Sequence, residues 1–247
     1  MLSIYSKSKF SLSEINQVRA TIEHGLGKDE DLKGFYAFAK SDPILHEATK
    51  DLSGMRAGTL DSVFERVILA ILLQMAPIER SQQMMELLLD NLGAKLLFDG
   101  QSVTLWPRAE TIAAAGPELL REKAKLGYRA DRLVSAAQYL VENPMSLSGL
   151  AALPAEQALL QLKNIPGIGD YSAGIIYGRT SVPIDSWSAV IMSELFFKKT
   201  PKNPRQEIPD LMAGLKKRWG KWGWLAFVYV LNDLDNLSKR FELSRIT

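Results

Sequence analysis

The chain has 247 residues and a mass of 27.5 kDa, with 30 Lys and Arg against 28 Asp and Glu. Hydrophobic residues make up 47% and charged residues 23%, which suits a globular protein with a real core and excludes disorder as the main theme. The absence of cysteine excludes disulfides, thiolate zinc sites, iron–sulfur clusters and a cysteine nucleophile, and two histidines, His24 and His46, argue against a Ser-His-Asp triad or a multi-histidine metal site.

Residues Met1 to Lys7 lack the apolar core of a signal peptide, and no apolar run reaches the length of a membrane span, so an intracellular protein (cytoplasm or nucleoid, nucleus in a eukaryote) is expected. Residues 2–10 are compatible with a short strand. Ser11-Leu12-Ser13-Glu14 is a capping box that opens a helix ending near His24-Gly25. His24 and His46 read as surface or cap residues, and Asp29-Glu30-Asp31 as a solvated loop. Asp61 starts a second helix, with apolar residues at 64, 67, 68, 71, 72 and 75. Pro77 interrupts it, and a third helix runs from about 78 to 92 and stops at Gly93.

Residues 96–105 could pair as strands around an Asp99-Gly100 turn. Pro107 and Pro117 read as first-turn prolines of two short helices. Arg129 to Val141 is helically periodic and ends before Asn143-Pro144. Further helices are expected over Pro154 to Leu162, Gly169 to Gly178, Asp185 to Phe197, Ile208 to Trp219 and Trp224 to Leu234. Lys198 to Pro209, with three prolines, reads as a loop or linker. Charge is uneven along this pattern: residues 198–221 carry a net +6 and residues 121–132 a net +3, whereas residues 1–53 are at −1. Such patches suit a polyanionic partner, although a solvated helix face gives the same pattern.

Residues 159–187 carry the most information. A helix ends before Ile165, Pro166-Gly167 makes a tight turn, and Gly169 opens the next helix. Gly167 and Gly169 permit positive φ and leave no side chain in the way. Backbone N–H groups at the turn and at the new helix start can then approach a phosphate without regard to base identity. Ile168 plugs the gap between the two helices. Taken alone, this segment is also compatible with a plain αα-hairpin.

The fuller string is Leu162, Ile165-Pro-Gly-Ile-Gly169, Ala173 and Val182-Pro183-Ile184-Asp185. With it the chain resembles the helix-hairpin-helix superfamily of DNA glycosylases. There the hairpin is followed by a Gly/Pro-rich loop and an essential aspartate, and Asp185 stands 16 residues after Gly169. Phe64 to Met75 resembles the family's helix ending in Gln. Leu126-Gly-Tyr-Arg-Ala130 resembles its helix start before the hairpin. Trp219-Gly-Lys-Trp222 with the following apolar helix is similar to the end of the 3-methyladenine DNA glycosylase II branch. The resemblance covers residues 31–235. That branch carries an N-terminal β domain, which is expected to be absent or reduced here.

The resemblance implies an all-α fold of two helical lobes with a DNA-binding cleft between them. One lobe is expected over residues 60–180, including the hairpin. The other is expected over residues 1–59 and 181–247, carrying the catalytic aspartate. It implies a monomeric enzyme of base excision repair acting on double-stranded DNA with a damaged, alkylated purine. Asp185 would be the catalytic carboxylate, stabilising an oxocarbenium-like state; it could equally cap the helix starting at Ser186. Bifunctional relatives carry a Schiff-base lysine at the second position after the last hairpin glycine. Here Tyr171 occupies it and no lysine lies between 164 and 197, so no lyase activity is implied.

Tyr171 and Trp187 are the candidate walls of a flipped-base pocket, while Trp219 and Trp222 read as core. The alkylation branch has an aromatic pair in its last helix, where this chain has Leu231 and Asn232. Ile165, Gly167, Ile168 and Gly169 would hold the strand. Gln74 and Met75 would meet the duplex, Met75 as the wedge that fills the gap left by the flipped nucleotide; Met75 could instead simply end a buried helix. No cofactor is required. A structural Na⁺ or K⁺ ion on the backbone of Lys163, Ile165 and Ile168 is implied by the family only. Two alternatives stay open: a non-catalytic helix-hairpin-helix DNA-binding protein, and a glycosylase for deaminated or oxidised bases.

Overall fold

The structure is a computed structural model that describes residues 8–58, 62–76, 78–178 and 182–243. The expected helix start at Asp61, the break at Pro77 and most of the candidate strand at residues 2–10 lie outside the described residues. Residues 8–10 are not in a strand. Internal packing divides the chain into two compact units, residues 62–224 and the terminal segments 1–61 with 225–247. Asp185 and its helix therefore group with the hairpin, whereas the sequence pattern drew the line at 180/181.

The terminal unit is built from α1 (Leu12–Gly25), α2 (Leu32–Ala39), α3 (Pro43–Asp51), most of α13 (Gly223–Asn232) and α14 (Leu234–Phe241). The capping box of α1 forms as the sequence requires: Glu14 N donates to Ser11 Oγ at 3.2 Å and Ser11 N to Glu14 Oε2 at 2.8 Å. Helices α2, α3 and α14 are additions to the sequence reading. Asp31 caps α2 and Asp42 caps α3, with Pro43 in the first position, where its missing N–H costs nothing. Asp31 is thus a cap at the end of the acidic Asp29-Glu30-Asp31 run. Arg240 of α14 pairs with Glu47 at 2.6 Å and Asp51 at 3.0 Å on α3. Within the unit, Phe35, Leu45, Tyr229 and Leu237 are fully buried. The Tyr36 and Tyr229 hydroxyls bond to each other at 2.8 Å, and Tyr229 donates to the Met55 carbonyl at 2.6 Å.

The larger unit begins with α4 (Val63–Leu72), capped by Ser62, and α5 (Ile78–Leu92). A two-stranded antiparallel hairpin follows, β1 (Lys95–Phe98) and β2 (Gln101–Thr104), turning at Asp99-Gly100 as expected. Next comes α6 (Ala109–Lys123). It is one helical element bent at Gly116 (φ 74°, ψ 164°), so the two short helices expected from the prolines are its two halves. Pro117 does open the second half, but Pro107 lies before the N-cap Arg108 and outside the first turn.

α7 (Arg129–Glu142), α8 (Leu147–Ala151), α9 (Ala155–Lys163) and α10 (Asp170–Tyr177) complete one core. Ile68, Ile71, Leu72, Leu133, Leu162, Ile165 and Ala173 are buried together there. α11 (Ser186–Phe197) and α12 (Pro204–Trp219) pack chiefly on each other, and a single 3₁₀ turn at residues 220–222 leads into α13. α12 starts earlier than expected, because Pro204 takes its first position and tolerates it. The expected linker to Pro209 therefore shrinks to residues 198–203.

Candidate functional site

The Ile165–Gly169 turn joins α9 to α10. Ile165 N donates to Leu162 O and Ile168 N to Ile165 O, both at 3.1 Å. Both isoleucine side chains are buried, which leaves Pro166, Gly167 and Gly169 at the surface. Gly167 has φ +82°, in the left-handed region that disfavours any side chain. A Cβ there would also lie 3.0 Å from the Arg132 side chain. Gly169 differs from the expectation: its φ of −98° is open to every residue. What it supplies is room, since a Cβ there meets nothing within 4 Å, and the N-terminal N–H groups of α10 stay accessible. Gly167→Ala is therefore expected to cost about 1–2 kcal/mol of stability through backbone strain. Gly169→Ala is expected to leave stability within about 0.5 kcal/mol. Thermal melts of both variants check this pair.

α4 holds the hairpin at both ends. Arg66 donates to the Ile176 carbonyl near the end of α10 at 2.9 Å. Gln74, just past α4, donates from Nε2 to Gly167 O at 2.9 Å and to Ser172 Oγ at 3.1 Å. The Gln74 carboxamide is thus used inside the protein, at the base of the turn. Met75 follows with φ +49° and 94% exposure. The buried stripe of this helix ends at Leu72, so Met75 is a projecting residue and does not end a buried helix face.

Asp185 is the N-cap of α11 in a reciprocal capping box. Its Oδ1 accepts from Ser188 N and from Ser188 Oγ, both at 2.7 Å, and Ser188 Oγ accepts from Asp185 N at 2.9 Å. The cap and catalytic roles weighed for Asp185 are compatible, because these bonds use one carboxylate oxygen and fix the direction of the other. Tyr171 stands in the first turn of α10 with its side chain half-buried. Burial, and then the Asp185 charge, push its hydroxyl up to about 12, so it stays protonated near neutral pH.

Trp187, two residues after Asp185, is 54% exposed. Trp219 is buried edge-on against Phe196 with ring centroids 4.9 Å apart. Trp222 is half-buried and carries Lys221 over its ring at 4.5 Å. Lys163, the amine nearest the turn, pairs across it with Asp170 at 2.9 Å. Sequence reasoning missed the roles of Arg66, Arg129, Arg132, Ser172 and Ser188. Ser188 had a signal, standing three places after an Asp as capping boxes require; a lone Arg132 on a helix had none. The described residues contain no cluster of three or more His, Asp or Glu able to hold a metal ion.

No protein-family profile matches the chain. It is 22% identical over 207 residues to a DNA-3-methyladenine glycosylase of Bacillus subtilis, covering 82% of this chain and 67% of that protein. Among solved structures it superposes on MBOgg1 in complex with a low-affinity DNA ligand with a TM-score of 0.79 at 19% identity, over 93% of this chain and 78% of that one. It superposes on the Clostridium acetobutylicum 8-oxoguanine glycosylase/lyase bound to double-stranded DNA with a TM-score of 0.76 at 18% identity, over 92% and 77% of the two chains. The chain thus shares its fold with these solved glycosylase structures, in line with the all-α fold that the hairpin resemblance implies.

Proposed function

We propose that this chain is a monofunctional DNA glycosylase of base excision repair, which flips a damaged, alkylated purine from duplex DNA and hydrolyses its N-glycosidic bond. One observation carries the reading. A carboxylate stands fixed by Ser188 at the N-terminus of α11, 16 residues beyond the hairpin, and its charge reaches the half-buried Tyr171 of the hairpin's second helix. The likeness to a DNA-3-methyladenine glycosylase supports the same conclusion.

In this reading Gly167, Ile168, Gly169 and the first N–H groups of α10 grip a backbone phosphate, with Ile165 anchoring the turn from below. Met75 enters the stack as the base leaves it. The flipped purine stacks on Trp187 and on the neutral ring of Tyr171; a cationic alkylated base is attracted to such faces. The free oxygen of Asp185 then faces the deoxyribose. The C1′–N bond breaks with its electron pair leaving on the base, and the positive charge that develops on the sugar is stabilised by the carboxylate. Water oxygen bonds to C1′, loses a proton to the carboxylate or to solvent, and an abasic site remains.

An excision chemistry without a lyase step fits the amines at hand. No lysine lies between 164 and 197, and Lys163 is held by Asp170. Borohydride added during turnover is expected to trap no covalent enzyme–DNA adduct on denaturing gels; a trapped band would put an amine in the reaction and overturn this part. The Lys163, Ile165 and Ile168 carbonyls would hold a Na⁺ or K⁺ ion. They are neutral oxygens suited to a monovalent ion, and Ile165 O already accepts one bond, from Ile168 N at 3.1 Å, which leaves a second lone pair. The ion would be structural, tying the turn to phosphate. The protein would act as a monomer on double-stranded DNA inside the cell; no helix among the described residues is long and apolar enough to cross a membrane.

The likeness to an 8-oxoguanine glycosylase/lyase favours a second reading, an oxidised purine as substrate. Free base released from duplexes bearing alkylated, deaminated or oxidised purines, identified by mass spectrometry, separates the two. Tight duplex binding with no base release from any of them would leave a non-catalytic DNA-binding protein.

A further inference from the structure

We propose that Arg132 is a positioning residue. With Gln74 it locks the exposed Met75 turn to the Pro166-Gly167 elbow, so that prising the duplex open and gripping its strand are one rigid movement. The inference rests on the glycosylase reading for what Met75 and the elbow meet, and on the structure for the link between them.

Gln74 joins the two parts through both its ends. Its carbonyl, immediately before Met75, accepts from Arg129 Nε at 3.0 Å, from Arg129 Nη2 and from Tyr128 OH at 3.2 Å. A non-glycine residue at φ +49° is unfavourable and persists only where its surroundings over-determine it. The threefold grip on the preceding carbonyl is that restraint. At the other end, Nε2 donates to Gly167 O and Ser172 Oγ, while Oε1 accepts from Arg132 Nη1.

Arg132 decides which way the carboxamide faces. With the oxygen against the guanidinium, the NH₂ is left to meet the Gly167 carbonyl. The reversed amide would set NH₂ against guanidinium and oxygen against carbonyl, two repulsions in place of two bonds. Arg132 is itself held. Its guanidinium lies 4.8 Å from the Tyr128 ring centroid, which Arg129 approaches at 4.6 Å, and its stem packs where Gly167 lacks a Cβ.

The test is a double-mutant cycle of Arg132→Met and Met75→Ala on a lesion duplex carrying 2-aminopurine beside the lesion. Arg132→Met keeps the stem and removes the donor. Three quantities are read: 2-aminopurine brightening as the stack opens, the single-turnover excision rate at saturating protein, and the Kd for undamaged duplex. Arg132→Met is expected to lower brightening and saturating rate by about 10-fold, with Kd changed by less than about 3-fold. In the Met75→Ala background the same change is expected to cost less than about 2-fold.

An equal loss in both backgrounds overturns the coupling, and so does a weakened Kd with an unchanged rate, which would make Arg132 a direct phosphate contact. Should Arg132→Met not fold, Gln74→Glu, which keeps the pairing with Arg132 but loses the donor to Gly167, is judged by the same criteria. Brightening needs no bond cleavage. Wild-type protein that opens the duplex without releasing base therefore sinks the glycosylase reading, and the cycle on brightening alone still decides the coupling. Wild-type protein that does neither overturns both.

Discussion

Asp185→Asn is expected to lower base release by at least about 100-fold while leaving the fold intact. Asparagine caps helices as well as aspartate does, so its side-chain oxygen can keep the bond from Ser188 N at the start of α11. Stability should stay within about 0.5 kcal/mol. What is removed is the negative charge that offsets the positive charge growing on the sugar. Duplex affinity should be unchanged or tighter, because a negative group near phosphates is gone. Single-turnover excision assays and anisotropy titrations measure the two effects separately. If Asp185 were a cap and nothing more, Asp185→Asn would release base at the wild-type rate.

The tryptophans give the second large contrast. Trp219→Ala should cost about 3–5 kcal/mol, because it empties a fully buried site packed against Phe196. Trp187→Ala should cost little stability, since that ring is largely exposed, but should slow excision by removing one wall from the flipped base. Thermal melts beside excision rates at saturating protein check both. The opposite pattern, with Trp187 essential to the fold and Trp219 to the reaction, would require a different pocket.

Much of this could be read from the residues, and the failures have physical causes. The capping box at Ser11, the stop at Gly93, the Asp99-Gly100 turn and the Ile165–Gly169 elbow are all fixed by local chemistry over a few positions, and each forms where the sequence places it. Helices α2, α3 and α14 span eight or nine residues, too short for apolar periodicity to declare itself. The N-terminal signal of α2, Asp31, ends an acidic run that resembles a loop, and that of α3, Asp42-Pro43, follows Lys40-Ser41 and resembles a turn. α12 was cut short because three nearby prolines look like a linker, although one of them is well placed to open a helix.

The candidate site divides in the same way. The elbow and Asp185 follow from spacing, while the Gln74 network does not. Arg129 is a buried arginine that bonds a backbone carbonyl, and a charged residue on a periodic helix gives no sign of that. Nor does the sequence distinguish Gly167, which needs its left-handed backbone, from Gly169, which needs only open space. Met75 fits the apolar stripe of its helix by spacing, yet the chain leaves the helix three residues earlier and turns the side chain out.

The most direct measurement is mass-spectrometric detection of free purine released from a duplex carrying one alkylated purine, with the strand examined in the same reaction. The proposed mechanism predicts stoichiometric free base and an unbroken strand bearing an abasic site. Free base from none of the alkylated, deaminated or oxidised duplexes, despite tight binding, would contradict it.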